Sequence, residues 1–229
     1  MQREQGKVSV IVTNYNRAAY LGECLDSLRN QTYPNLELIL VDDASTDDSL
    51  EVAERWKHTV EACGQKVDLT IVPLPRNTGF SGALTTGFFL ARGEFIAVQD
   101  ADDWSHPARM ERQAAFLLER RDLDLVGTNY ASFKESSERV YTPANWLKYG
   151  RDIRQVYWNG GHCVCHGTIM FRGSAFDRIG GLTRRIAGAE DYEFIVKFLD
   201  AKSQIDNLPD ILYYYRRHDE QRSTAFFGN

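Results

Sequence analysis

The sequence predicts an α/β fold, a mostly parallel sheet flanked by helices, with a more irregular second half. Three observations predict it. Val8-Ser9-Val10-Ile11-Val12-Thr13 is a nearly continuous β-branched run, the pattern of a parallel strand buried on both faces. Strand and helix patterns alternate through the first sixty residues, the rhythm of right-handed crossovers. Acidic residues gather where the predicted strands end, the edge at which open α/β sheets receive ligands. At 229 residues a single domain spanning 1–229 is expected, with regular patterning to about residue 133 and longer loops from about 134.

After the first strand, Asn14-Tyr15-Asn16-Arg17 is a polar turn. Leu21, Cys24, Leu25 and Leu28 then fall on one helical face, and Tyr33-Pro34-Asn35 ends that helix. Leu36 to Val41 reads as a second buried strand running into Asp42-Asp43. Ser45-Thr46-Asp47-Asp48 supplies capping residues for a helix with Val52, Ala53, Trp56 and Val60 on its apolar side. Val67 to Val72 alternates and stops at Pro73, which predicts an edge strand. Pro75 to Gly79 is a loop opening a helix through Ala91, closed by Arg92-Gly93.

Phe95-Ile96-Ala97-Val98 is the next buried strand, followed by Gln99-Asp100-Ala101-Asp102-Asp103. Ser105-His106-Pro107 is expected to cap and start a helix through Met110, Ala114, Leu117 and Leu118. Leu123 to Phe133 is a strand interrupted by polar residues. Beyond it, single aromatics (Tyr141, Trp146, Tyr149, Tyr157, Trp158) and glycines punctuate the chain. Thr168 to Phe171 is a strand, Ser174 to Ile179 a short helix stopped by Gly180-Gly181, and Leu182 to Gly188 is expected to move. Glu190-Asp191 opens a helix carrying Tyr192, Ile195, Val196 and Leu199, and Ile211 to Tyr215 is the last strand, leading into Arg216-Arg217-His218.

Composition excludes several classes. The net charge of −5 leaves no basic excess for nucleic acid. No apolar run approaches the length of a membrane-spanning helix, so no integral membrane segment is expected. Residues 1–6 lack the apolar stretch of a signal peptide, and four cysteines without a regular framework fit a reducing compartment. The expectation is a cytoplasmic chain, compatible with peripheral association at the inner face of a membrane. His162-Cys163-Val164-Cys165-His166 crowds four zinc-type ligands into five residues. Neighbouring residues do not readily close one tetrahedral site, so a partly buried loop is the better account.

The chemistry lies in the acidic clusters. Asp100 and Asp102 are two residues apart and in an extended segment point the same way, whereas Asp103 faces elsewhere. Convergent carboxylates repel unless a cation or donor sits between them. Hard oxygen ligands with open positions suit Mg²⁺ or Mn²⁺ carrying a substrate diphosphate. With Asp42-Asp43 at another strand end, these residues point to a metal-assisted nucleotide-diphosphate site, although each cluster alone also fits helix capping or a turn.

Val10-Ile11-Val12-Thr13-Asn14-Tyr15-Asn16, Val41-Asp42-Asp43-Ala44-Ser45-Thr46-Asp47, Arg76-Asn77-Thr78-Gly79, Asp100-Ala101-Asp102-Asp103, Gly180-Gly181-Leu182 and Glu190-Asp191 occur in an order and spacing that resembles an inverting glycosyltransferase of family two, with the GT-A fold. The resemblance runs from Val8 to Ser223. It implies a nucleotide-binding half at about 1–133 and an acceptor-binding half at about 134–229. Thr13, Tyr15 and Asp42 are then expected to contact the base, Tyr15 by stacking and Asp42 by accepting from a base N–H. Thr13 stands where family members often have Pro. Asn16, Asn77, Gly79 and Ala101 belong by the same resemblance to the nucleotide-sugar site. Arg76 is expected beside the base and diphosphate, and Asp100 on the ribose or sugar.

Asp102 is the implied ligand to Mg²⁺ or Mn²⁺, and His218 the implied residue returning to the metal or diphosphate. Asp103 either orients the loop or caps a helix. Asp191 is the implied general base, with Glu190 the competing choice, and Arg216, Arg217 and Arg222 would add positive charge nearby. The implied partners are a nucleotide-sugar donor, a UDP-sugar by preference, and a glycan or lipid-linked acceptor in surface polysaccharide or glycan assembly. No Gln-x-x-Arg-Trp sequence of processive synthases is present, so transfer of single sugars is expected. Two alternatives stay open. A sugar-phosphate nucleotidyltransferase would carry a Gly-rich Arg/Lys loop after the first strand, which Asn14-Tyr15-Asn16-Arg17 is not; a non-catalytic donor-binding module would share every donor residue.

Overall fold

The computed structural model describes residues 2–136, 138–183, 188–219 and 221. The β-branched opening run is the centre of β1 (Glu4–Asn14), followed by α1 (Ala18–Arg29), β2 (Leu36–Asp42), α2 (Ser49–Ala62), β3 (Leu69–Pro73), α3 (Phe80–Leu90) and β4 (Gly93–Asp100). These four strands are parallel, in the order β3-β2-β1-β4, so their C-terminal ends share one edge. As expected from its alternation and Pro73, β3 is the edge strand. Along β1, Val8, Val10 and Val12 pack on one face with Leu21, Leu25 and Leu28 of α1, and Ile11 packs on the other with Leu84 and Phe88 of α3. A core on each side of the sheet is why the strands read as continuous apolar runs. Gly87 lets α3 lie directly on β1: a Cβ there would collide with Cγ2 of Ile11.

The second half extends the same sheet. After β4 come β5 (Trp104–Ser105), α4 (Arg109–Glu119), β6 (Leu123–Lys134), β7 (Thr142–Pro143) and α5 (Arg151–Trp158). A 3₁₀ turn (His166–Thr168), β8 (Met170–Arg172), α6 (Gly173–Ile179), α7 (Glu190–Asp200) and β9 (Gln204–Arg217) complete the chain. The order continues β4-β8-β6-β9-β5, with β8 antiparallel to both neighbours, β9 parallel to β6, and β7 paired off the path with β6. The sheet is therefore mixed, parallel through its first four strands in chain order.

Several expectations change. Trp104-Ser105 pairs with Tyr214-Tyr213 instead of capping a helix, and α4 starts only at Arg109. Helix α2, by contrast, starts as expected at Ser49, directly after Ser45 to Asp48, and Asp47 accepts from the Ser49 N–H at 3.0 Å. The expected strand 168–171 divides into the 3₁₀ turn and β8. The last strand begins at Gln204, well before Ile211. Its register slips where Leu208 opposes Thr128 and Ile211 opposes Asn129, which accommodates Pro209 as a bulge. Residues 184–187 of the expected mobile stretch, and Arg222 and Ser223, lie outside the described residues. No described helix is long and apolar enough to cross a membrane.

Candidate functional site

A cavity of about 890 Å³ opens at the C-terminal edge of the parallel strands. It is lined by Thr13, Tyr15, Asn16, Asn77, Gly79, Asp100, Ala101, Asp102, Glu190 and Asp191, so most of the predicted site residues meet in one cleft. Asp42, Arg76 and His218 do not line it. The adjacency of β1 and β4, with Thr13 opposite Asp100, brings the turn after β1 beside the acidic loop.

Asp42 is 1% exposed and faces inward. One of its oxygens accepts from Asn14 Nδ2 at 2.6 Å and from Ser45 Oγ at 2.6 Å, and the other from the Ser45 N–H at 2.9 Å. Its carboxylate is thus consumed in bracing the β1 and β2 exits. The neighbouring Asp43 lines the cavity, accepting from the Thr78 N–H at 2.6 Å and hydroxyl at 2.8 Å. Successive side chains leave a strand on opposite sides, so of an Asp-Asp pair only one enters the cleft. Arg76 is exposed and lies outside the cavity. Tyr15 is 46% exposed, an open ring at the cleft.

The acidic loop is built from the last strand upward. Tyr213 Oη donates to Asp103 Oδ2 at 2.8 Å and accepts from the Asp100 N–H at 3.3 Å. The Arg216 N–H donates to Asp103 Oδ1 at 2.8 Å, and Arg216 Nε donates to the Asp102 carbonyl at 2.8 Å. Arg216 is buried between the rings of Tyr20 and Phe133 and ion-paired to Glu23 and Glu135. Asp103 is therefore the loop's anchor and caps no helix. Gly167 completes the fit, since a Cβ there would come within 2.8 Å of Asp100 Oδ2 and of Tyr213 Oη.

Electrostatically the three carboxylates differ. Burial, then the charges of Asp102 and Asp191, push Asp100 up to about 7. Asp103 is raised well above the usual carboxylate range by burial, then by the charges of Asp102 and Asp100. Burial would raise Asp102 too, but a hydrogen bond with His218 and the Arg17 charge hold it below the usual carboxylate range. Asp102 Oδ2 lies 3.1 Å from His218 Nε2 and 2.9 Å from Arg17 Nε. His218 Nδ1 is buried without a partner.

Among the described residues no three potential ligands converge. Asp102 and His218 nevertheless form a carboxylate–imidazole pair beside Asp100. An oxygen–nitrogen donor pair with remaining positions left to a diphosphate fits a divalent cation.

On the opposite wall, α7 presents Glu190, 7% exposed, and the half-exposed Asp191, whose Oδ1 is 3.9 Å from His166 Nδ1. Both carboxylates open the helix, where its dipole favours negative charge. Tyr130, Trp146, His162, His166 and Tyr215 also line this side, none of them predicted as site residues. Trp146 Nε1 donates to Tyr130 Oη at 2.9 Å, its ring stacks on His162 at 5.4 Å, and His162 Nδ1 meets Tyr157 Oη at 2.8 Å. The His-Cys-Val-Cys-His run spreads its side chains: Cys163 is buried, its thiol pushed up to about 11 by burial, while His162 and His166 face the cleft. The signal for this wall was only the scatter of single aromatics.

The model of glycosyl transferase family 2 matches residues 9–180. EpsE of Bacillus subtilis (strain 168) is 34% identical over 220 residues, covering 93% of this chain and 74% of that protein. Among solved structures, S. aureus TarS 1-349 in complex with UDP-GlcNAc superposes with a TM-score of 0.76 at 24% identity, over 96% of this chain and 61% of that one. Mannosyltransferase PcManGT from Pyrobaculum calidifontis, in complex with GDP-Man and Mn²⁺, gives 0.67 at 24% identity, over 94% of this chain and 57% of that one. The chain thus spans about 60% of these structural relatives, whose likeness establishes the GT-A fold. With the family model matching most of its length, the chain belongs to glycosyl transferase family 2.

Proposed function

We propose that the chain transfers a sugar, with inversion, from a nucleotide-diphosphate sugar to an acceptor hydroxyl during glycan or surface-polysaccharide assembly. The observation that carries this is the placement of Asp191 across one cavity from Asp100 and Asp102. A single displacement needs a base on the acceptor side and charge compensation on the leaving-group side. Asp191 takes the acceptor proton; it is half exposed at a helix N-terminus, where the dipole favours negative charge. Glu190 beside it is more deeply buried.

On the donor side, Tyr15 offers a face for the base, Asp43 a carboxylate for its N–H groups, and Asp100 an acceptor for sugar or ribose hydroxyls. Asp102 and His218 would hold Mg²⁺ or Mn²⁺, which when bound offsets the charge growing on the departing diphosphate. The bound UDP-GlcNAc of the TarS complex favours a UDP-sugar donor. Trp146, Tyr130 and Tyr215 give the acceptor an aromatic wall. The test is transfer from UDP-, GDP- and dTDP-sugars to a panel of simple glycosides in Mn²⁺, with anomeric configuration of the product read by NMR. A β-linked product from an α-linked donor supports the reading; retained configuration would refute it.

A further inference from the structure

The turn after β1 carries a cation that the donor reading leaves without a role. Asn16 is left-handed at φ 52° and its side-chain oxygen accepts from the Thr46 N–H at 2.7 Å. The Arg17 N–H donates to Ser49 Oγ at 3.1 Å, and the Ala18 N–H to Asp47 Oδ2 at 3.0 Å. From this fixed turn the Arg17 side chain crosses to the exit of the adjacent strand. Its Nε lies 2.9 Å from Asp102 Oδ2, and Nη1 donates to the Asn16 carbonyl at 2.9 Å. Both side chains of the pair are only 17% exposed. The oxygen that Arg17 holds is the one that His218 also meets.

We propose that Arg17 is a diphosphate-binding residue held in reserve on Asp102 and displaced from it when a divalent cation binds. The inference rests on the assignment of Asp102 as a metal ligand. A guanidinium and a divalent cation sharing one carboxylate oxygen repel strongly in a poorly solvated site, so the two occupancies exclude each other. Once released, the guanidinium remains in the donor's cleft, which it lines beside Tyr15 and Asn16. The anion that arrives with the metal is the diphosphate, and a planar fork of donors matches phosphate oxygens. Before that exchange Arg17 compensates the buried Asp102 charge. Metal and nucleotide binding are thereby linked through one side chain, which opposes the metal alone and favours the metal–nucleotide pair.

Two binding measurements separate these effects, neither requiring turnover. Mn²⁺ affinity without nucleotide is read from the EPR signal of the free ion, and UDP affinity at saturating Mn²⁺ by calorimetry. Arg17→Gln should bind Mn²⁺ alone about threefold or more tighter and UDP about tenfold weaker, the scale of one charge-assisted hydrogen bond. Arg17→Lys, which keeps the charge, should fall between Gln and wild type in both. Unchanged or weaker Mn²⁺ binding in both folded variants overturns the proposal, as does unchanged UDP binding in Arg17→Gln. If wild type binds UDP while no form binds Mn²⁺, the exchange is wrong and the transferase reading stands. Failure of wild type to bind any nucleotide removes both.

Discussion

The hydroxyl of Tyr213 lies 2.8 Å from Asp103 Oδ2, joining residues 110 positions apart in the chain. Through this contact β9 sets the loop that carries Asp100 and Asp102. Tyr213→Phe leaves a fully buried carboxyl short of a partner, at a cost of about 1–3 kcal/mol. The melting temperature should fall by about 2–12 °C, and Mn²⁺-dependent UDP binding should weaken with it. An unchanged melting curve would show that the loop holds its shape without Tyr213.

Asp191→Asn keeps the size of the side chain and removes the base. Transfer should drop by about 10²–10⁴-fold while UDP affinity stays within a factor of about two. Parallel loss of both would reassign Asp191 to donor binding.

Asp102→Ala should abolish the part of UDP affinity that depends on Mn²⁺ and leave the metal-free part. Calorimetry with Mn²⁺ and with EDTA separates the two. Equal UDP affinity in both buffers for the wild-type chain would show that the nucleotide binds without a metal at this loop.

The raised pKa of Asp100 gives a pH dependence with a definite sign. In the unfolded chain the group titrates near its ordinary 3.8, and in the fold at about 7. Between about pH 4 and pH 7 the folded state holds a proton that the unfolded state has lost, so stability falls as pH rises through that window. Asp102 and Glu37, held low, act oppositely; their contribution is lost only as pH falls below about 4. Asp103, also raised by burial, contributes a decline of the same sign, so Asp100→Asn should lessen but not abolish the decline between about pH 4 and pH 7 in denaturant midpoints measured without metal. A variant curve parallel to wild type would place the proton elsewhere.

Trp146→Ala should raise the acceptor KM by about tenfold, the equivalent of some 1.4 kcal/mol of lost stacking, and leave hydrolysis of the donor alone unchanged. Loss of donor hydrolysis as well would move Trp146 to the donor side.

The parallel half of the fold was legible because buried central strands admit little but β-branched and aliphatic residues, as Val8 to Val12 and Leu36 to Val41 show. Of β9 only the part from Ile211 to Tyr215 was, because Pro209 and Asp210 interrupt the pattern before it and a bulge, invisible in composition, rescues the pairing. Helix α5 was missed for a similar reason: it is eight residues long and buries only Ile153 and Tyr157 outright. At the site, the acidic loop stood out because three carboxylates follow a buried strand. Which member of Asp42-Asp43 enters the cleft depends on how the strand exits, and Ala44 at φ 61° fixes that turn after the pair. Arg17 and the aromatic wall depend on neighbours distant in sequence, so no local pattern announced them.

Strand β8 runs antiparallel between β4 and β6 and is hydrogen-bonded to both. The parallel strands and the strands of the second half are consequently parts of one continuous backbone ladder. Rigid rotation of two lobes would have to break that ladder. For the transfer proposed above, admission of the donor and escape of the spent nucleotide then fall to side chains and connecting segments at the mouth of the cleft.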